Sequence, residues 1–118
     1  LDNGNTLISC YTDDTKTQVI EVTPAGETVW RFSQADVPEF KCYQFQGVKR
    51  LRNGRTVICN WCAGDVKDTA QWPQTVQVLE VTRAKTVVWA LSSWTAPDLG
   101  TASSIQLLDQ PGGYGVCA

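Results

Sequence analysis

Short runs in which apolar and polar residues alternate, each bounded by Gly, Pro, Asn or Asp, succeed one another along the chain. A period of two sends successive side chains to opposite faces, the pattern of a half-buried strand. Strands are predicted at residues 5–10, 17–23, 28–32, 43–51, 55–61, 76–82, 86–91 and 102–108. Val, Ile, Thr and aromatic residues fill them, and these side chains suit a pleated surface. No window sustains a helical period with caps. Asn3-Gly4 and Asn53-Gly54 stand where a type I′ hairpin turn is expected, because both residue types tolerate positive φ. The prediction is an antiparallel meander.

The pattern also repeats. VIEVTPAGETVW, starting at Val19, returns as VLEVTRAKTVVW, starting at Val78, and LDNGNTLIS at Leu1 returns as LRNGRTVIC at Leu51. The offsets are 59 and 50 residues, so about nine extra residues lie in a loop between the paired segments. Self-similarity at this spacing, built from short strands, points to radially repeated four-stranded sheets. With strand A innermost, the strands read B, C, D, then A, B, C, D, then A and the start of another B near residues 115–117. Residues 1–50 are then the first blade (strands B, C, D) plus strand A of the second, 51–101 the remainder of the second blade, and 102–118 strand A and the start of a third. Two such blades cannot close a ring, and their open faces and edges call for further blades of the same protein or other copies of this chain.

In a meander, alternate connections share one end of the sheet. Tight turns fall at one end (Asn53-Gly54, Pro24-Ala25-Gly26), and long loops at residues 33–42, 62–73 and 92–101 fall at the other. Long loops on a rigid scaffold are where binding concentrates. That face carries Trp61, Trp72 and Trp94 among Asn60, Asp65, Asp68 and Asp98. Aromatic surface rimmed by carboxylates and amides is what a sugar ring needs, and these residues are the candidate ligand-binding set, with packing of the loops onto the sheet as the alternative.

An apolar strand, an acidic residue, a turn containing Gly26 and then Trp30 four residues on resembles the tryptophan-docking repeat of quinoprotein-type (PQQ-like) β-propellers. The resemblance covers essentially the whole chain as two repeats and a remainder. It implies an all-β chain of propeller blades, an incomplete or oligomer-completed ring of about six to eight blades, in which Trp30 and Trp89 dock between neighbouring sheets. It also implies a bacterial, periplasmic or secreted setting. Lys85 departs from the pattern by standing where Gly26 does, and the second turn is expected to differ in type, since a left-handed conformation costs a non-Gly residue about 1 kcal/mol or more.

Composition narrows the chemistry. Ten basic and twelve acidic residues give a net charge of −2, so no positive field favours nucleic acid. No apolar run approaches the roughly 20 residues of a membrane-spanning helix. Histidine is absent, which removes the commonest general base and zinc ligand. The family's quinone pocket often uses adjacent cysteines, and none of the five here are adjacent; PQQ and calcium are expected only in a longer parent protein. Cys59 and Cys62 form a CxxC that closes a strand, and with Cys42 they make a weak three-thiolate metal candidate beside the disulfide and buried-thiol alternatives. Lys49, Arg50, Arg52 and Arg55 read as a solvated basic edge that discourages strand association. The expectation is a non-enzymatic binding or interaction scaffold acting through the long-loop face, with carbohydrate as a candidate ligand. The alternatives are part of a quinoprotein-like oxidoreductase or polysaccharide-active enzyme, and a self-assembling module that forms a ring or filament.

Overall fold

Seven strands appear in a computed structural model that describes residues 1–14 and 16–109. They are β1 (Thr6–Thr12), β2 (Lys16–Val22), β3 (Thr28–Ser33), β4 (Gln44–Arg50), β5 (Thr56–Trp61), β6 (Val78–Val81) and β7 (Val87–Leu91). Every pairing is antiparallel. The strands form a three-stranded sheet β1-β2-β3 and a four-stranded sheet β4-β5-β6-β7. Among the described residues the helical content is two 3₁₀ segments, Gln34–Asp36 and Thr69–Gln74, both inside long loops.

The two sheets share one register. Leu7 pairs with Glu21 and Glu21 with Trp30, while Val57 pairs with Glu80 and Glu80 with Trp89. Each has an irregularity just after its glutamate, between Glu21 and Val22 and between Glu80 and Val81. A bulge of this kind bends the outer strand and fixes which residues face the core.

The turns repeat as well, and they correct two expectations. Gly4 N–H donates to the Leu1 carbonyl at 2.9 Å and Gly54 N–H to the Leu51 carbonyl at 3.0 Å. Only the glycine has positive φ, +83° and +86°, so these are not type I′ turns, which need two such residues. The asparagines act through their side chains instead: Asn3 Oδ1 accepts from Asn5 N and Asn53 Oδ1 from Arg55 N, each at 3.0 Å. The β6–β7 turn does not differ in type from the β2–β3 turn. Gly26 donates to the Thr23 carbonyl and Lys85 to the Thr82 carbonyl, both at 2.9 Å, and Lys85 adopts φ 71° beside the 87° of Gly26. An ion pair from Lys85 Nζ to Asp36 Oδ1 at 3.1 Å favours the conformation that the backbone disfavours.

The predicted strand at 102–108 is also corrected. Residues 101–107 carry no strand assignment and run instead over the outward face of the second sheet, where Ala102, Ile105 and Leu107 cover Leu51, Val57, Cys59 and Val78. They pass close to β4: Gly47 N–H donates to the Ser103 carbonyl at 2.9 Å. A Cβ on Gly47 would sit 2.8 Å from that oxygen, so only glycine admits the approach. The strand start expected near residues 115–117 lies outside the described residues.

The core lies between the sheets. Leu7, Val19, Trp30 and Phe32 of the first meet Phe45, Ile58, Leu79 and Val81 of the second. In the second sheet the residues equivalent to the first four, Val57, Val78, Trp89 and Leu91, lie on its outward side, most of them in a separate cluster. The sheets therefore stack face to back rather than face to face.

Candidate functional site

Three long loops gather at one end of the sheets, and each is organised by an amide. Gln34 Nε2 donates to the Val37 and Phe40 carbonyls at 3.0 and 2.7 Å while its Oε1 accepts from Cys42 N at 2.7 Å, closing the first loop. Asn60, buried at the end of β5, accepts from Tyr43 N at 2.8 Å and donates to the Val76 carbonyl at 2.7 Å and the Lys41 carbonyl at 3.2 Å. Gln77 receives Ser93 N–H and donates to the carbonyls of Ser93 and Gly100, tying down the third loop. Asn60 and Gln77 are buried and Gln34 half-buried; amides so placed need partners, and loop backbone supplies them.

Most of the candidate ligand set is engaged in this packing. Trp94 is buried and donates to the Thr75 carbonyl at 3.2 Å, and Trp72 donates to the Val66 carbonyl at 2.8 Å. Their rings tilt against each other, centroids 6.3 Å apart, over Cys62 and Val66. Asp68 caps the Thr69–Gln74 turn through Ala70 N at 3.0 Å, and Asp98 accepts from Gly100 N at 2.8 Å. Asp65 is exposed and Trp61 half-buried. The aromatic cleft on this face lies elsewhere, a space of about 460 Å³ lined by Gln34, Pro38, Phe40, Lys41 and Tyr43. The clustering of Phe40 and Tyr43 around Cys42 was its signal in the sequence.

The cysteines do not converge. Cys42, Cys59 and Cys62 fall into three different apolar clusters, and among the described residues no three metal-ligating side chains come together. Their thiols, with that of Cys10, are free. Burial, with a smaller contribution from Glu39, pushes the Cys42 thiol up to about 12; burial alone pushes that of Cys59 up to about 11. Neutral thiols are poor ligands and poor nucleophiles. Cys117 lies outside the described residues.

The strongest electrostatic feature lies at the opposite, tight-turn end. Glu21 is 1% exposed. Its carboxylate takes hydrogen bonds from Asn5 at 2.8 Å and Asn3 at 3.3 Å, and ion pairs from Arg83 at 2.7 Å and Arg50 at 3.2 Å. Burial acts to raise its pKa, but Asn5, Arg83 and Asn3 together outweigh burial and bring it from 4.5 down to about 2. Both arginines belong to the second sheet or its turns, so the cluster joins the sheets. Trp30 completes it, with its indole N–H donating to the Arg83 carbonyl at 2.9 Å and its ring 4.9 Å from the Arg50 guanidinium. Arg50 is thus no part of a solvated edge. Its side chain is 11% exposed, and its Nε and Nη2 are buried without a hydrogen-bond partner, beneath the indole. Arg55 remains on the surface and pairs with Glu80 at 3.2 Å.

Fold and site together define an all-β protein of two antiparallel sheets stacked face to back, with long loops pinned at one end and an ionic cluster at the other. Among solved structures, it is similar to a protein of unknown function from Bacteroides caccae, with a TM-score of 0.69 and 26% sequence identity. The likeness covers 88% of this chain and 36% of that one, so this chain spans about a third of its neighbour's length. No protein-family model and no curated protein matches the sequence. Among the described residues no helix is long and apolar enough to cross a membrane.

Proposed function

We propose that the chain is a segment of a β-propeller of the quinoprotein-like type and works as a rigid, non-enzymatic binding scaffold through its long-loop face. One observation carries the reading: the face that the first sheet presents to the second is the face that the second presents outward. Face-to-back stacking by a repeated operation generates a ring or a helix, whereas a two-fold sandwich would use one face twice. Gly26 sits in the turn that delivers Trp30 to the sheet boundary, as the docking repeat requires. The amides of Gln34, Asn60 and Gln77 that pin the loops favour a fixed surface over a moving lid.

Carbohydrate remains the ligand class this face suits best, read now at the cleft of Gln34, Phe40, Lys41 and Tyr43, because the rings of Trp72 and Trp94 pack against each other. An apolar ring beside an amide and an ammonium offers stacking and hydrogen bonding to a saccharide. A glycan array tests it: binding that Tyr43→Ala and Lys41→Ala both weaken supports the reading, and no binding to any glycan removes carbohydrate as the ligand. Turnover with PQQ and calcium on the same chain would favour the oxidoreductase alternative instead.

A further inference from the structure

We infer that the ligand of the long-loop cleft is an acidic saccharide, a pyranose that lays its apolar face on Phe40 and Tyr43 and presents a carboxylate or sulfate group to the Lys41 ammonium. The inference rests on the carbohydrate reading above and adds the charge of the ligand and the group that reads it.

The cleft is lined by residues of one internal loop, 34–43. Its volume of about 460 Å³ falls within the roughly 300–1,000 Å³ of small-ligand sites. Hydrogen bonds inside the loop determine which polar groups remain for a ligand. Gln34 uses both amide hydrogens, on the Val37 and Phe40 carbonyls, and one lone pair of Oε1, which accepts from Cys42 N. An amide oxygen has a second lone pair, so toward a ligand Gln34 can only accept. That suits a sugar hydroxyl and leaves an anion to another group.

Lys41 is that group. Its ammonium carries three hydrogens, and one goes to Gln74 Oε1 at 2.9 Å. Two hydrogens remain, and the charge remains with them, since Gln74 is neutral. Among the described residues Lys41 forms no ion pair. The two acidic residues of the loop do not pair with it: Asp36 is held by Lys85 at 3.1 Å, and Glu39 is exposed.

The ammonium is also held in place at both ends of its side chain. The Lys41 carbonyl accepts from Asn60 Nδ2 at 3.2 Å, while Asn60 Oδ1 accepts from Tyr43 N at 2.8 Å. The buried Asn60 thus fixes the backbone beneath the cation and beneath the stacking ring together. Gln74, at the end of the Thr69–Gln74 turn, fixes the amine. Ordering in advance lowers the entropy that a long side chain loses on binding. A fixed cation beside aromatic surface matches a ring with an apolar face and an anionic edge. A carboxylate or sulfate puts charge on both partners of the hydrogen bond, the strong kind, whereas a neutral saccharide leaves one side uncharged.

An array of uronate-containing, sulfated and neutral oligosaccharides of matched length tests the proposal, with titration of the best-bound glycan. Acidic glycans should be preferred, and the uronate and sulfate arms identify the anion. Affinity should fall as salt is raised, drop roughly tenfold in Lys41→Gln, and persist in Lys41→Arg. Lys41 is exposed, so both variants should keep the parent's unfolding temperature. Neutral glycans bound as tightly as acidic ones overturn the inference, as does a loss that Lys41→Arg shares without salt dependence, which would make Lys41 a support for the loop through Gln74. In those cases carbohydrate still stands as the ligand if Tyr43→Ala weakens binding; if no glycan of any charge binds, both readings fall.

Discussion

Trp30 and Trp89 occupy one register position in two sheets of the same pairing, opposite Glu21 and Glu80, yet Trp30 and Glu21 are buried whereas Trp89 is exposed and Glu80 half-buried. The local sequence builds the strand, the bulge and the turn in both places. What differs is the neighbour. Against a second sheet the glutamate gains two guanidiniums and the indole gains a carbonyl; without one, the glutamate settles for Arg55 at the surface. The repeat thus encodes half of a contact, and the energy comes from completing it.

Truncations should separate the copies sharply. Trp30→Ala removes a buried ring and its hydrogen bond and is expected to destabilise by about 3–5 kcal/mol, and Glu21→Ala strands two arginines at a similar cost. Trp89→Ala and Glu80→Ala should each change the stability of the monomer by less than about 1 kcal/mol. Chemical denaturation of the four variants checks this, and equal losses in the two copies would refute the contrast.

Acid should act on the first copy's cluster. The Glu21 pKa is depressed in the folded state, so its contribution is fully present above about 4.5 and is lost as pH falls through about 2. A difference of this size corresponds to something on the order of 3 kcal/mol. The expected outcome is a thermal midpoint that declines between those limits, with the decline shallower in Glu21→Gln.

The duplicated pattern made the strands legible because period-two alternation and turn residues are local signals. Seven of the eight predicted strands form, with ends shifted by a residue or two. The eighth, at 102–108, has strand composition but pairs with no strand among the described residues, and composition does not report pairing. The loop end was legible only as a place. Trp72, Trp94 and Asn60 looked like ligand contacts because loop tryptophans and amides serve ligands and loop packing equally well, and the hydrogen-bond partners of Trp94 and Asn60 lie 16 to 19 residues away in sequence. Arg50 misled for the same reason: within a run of basic residues nothing marks the one that reaches across to Glu21.

The passage of residues 101–107 beside Gly47 offers a smaller perturbation of the second sheet's outward face. Gly47→Ala would set a methyl 2.8 Å from the Ser103 carbonyl and 2.9 Å from Ser104 Cα, both backbone atoms that cannot swing aside. The strap should lift, at about 1–3 kcal/mol for the overpacked contact. Cys59, buried beneath it, would then react with a thiol reagent faster than in the parent protein, while Cys42 between the sheets keeps its rate.

The smallest expected effect lies in the turns that the two copies share. Lys85 holds φ 71° with the hydrogen bonds that Gly26 makes at 87°, so the turn geometry is dictated by the flanking strands and by the Thr23 and Thr82 caps, with glycine only making it easier. Lys85→Gly should relieve about 1 kcal/mol of left-handed strain. It also deletes the ion pair to Asp36, which at 36% and 24% side-chain exposure is worth less than about 1 kcal/mol. The net change should be a gain of a few tenths of a kcal/mol, whereas Gly26→Lys, lacking an acidic residue placed as Asp36 is, should lose about 1 kcal/mol. Opposite signs for the reciprocal exchange, measured by thermal unfolding, would show that strain at this turn is balanced by a partner from outside it; losses in both would mean that Asp36 contributes more than its exposure suggests.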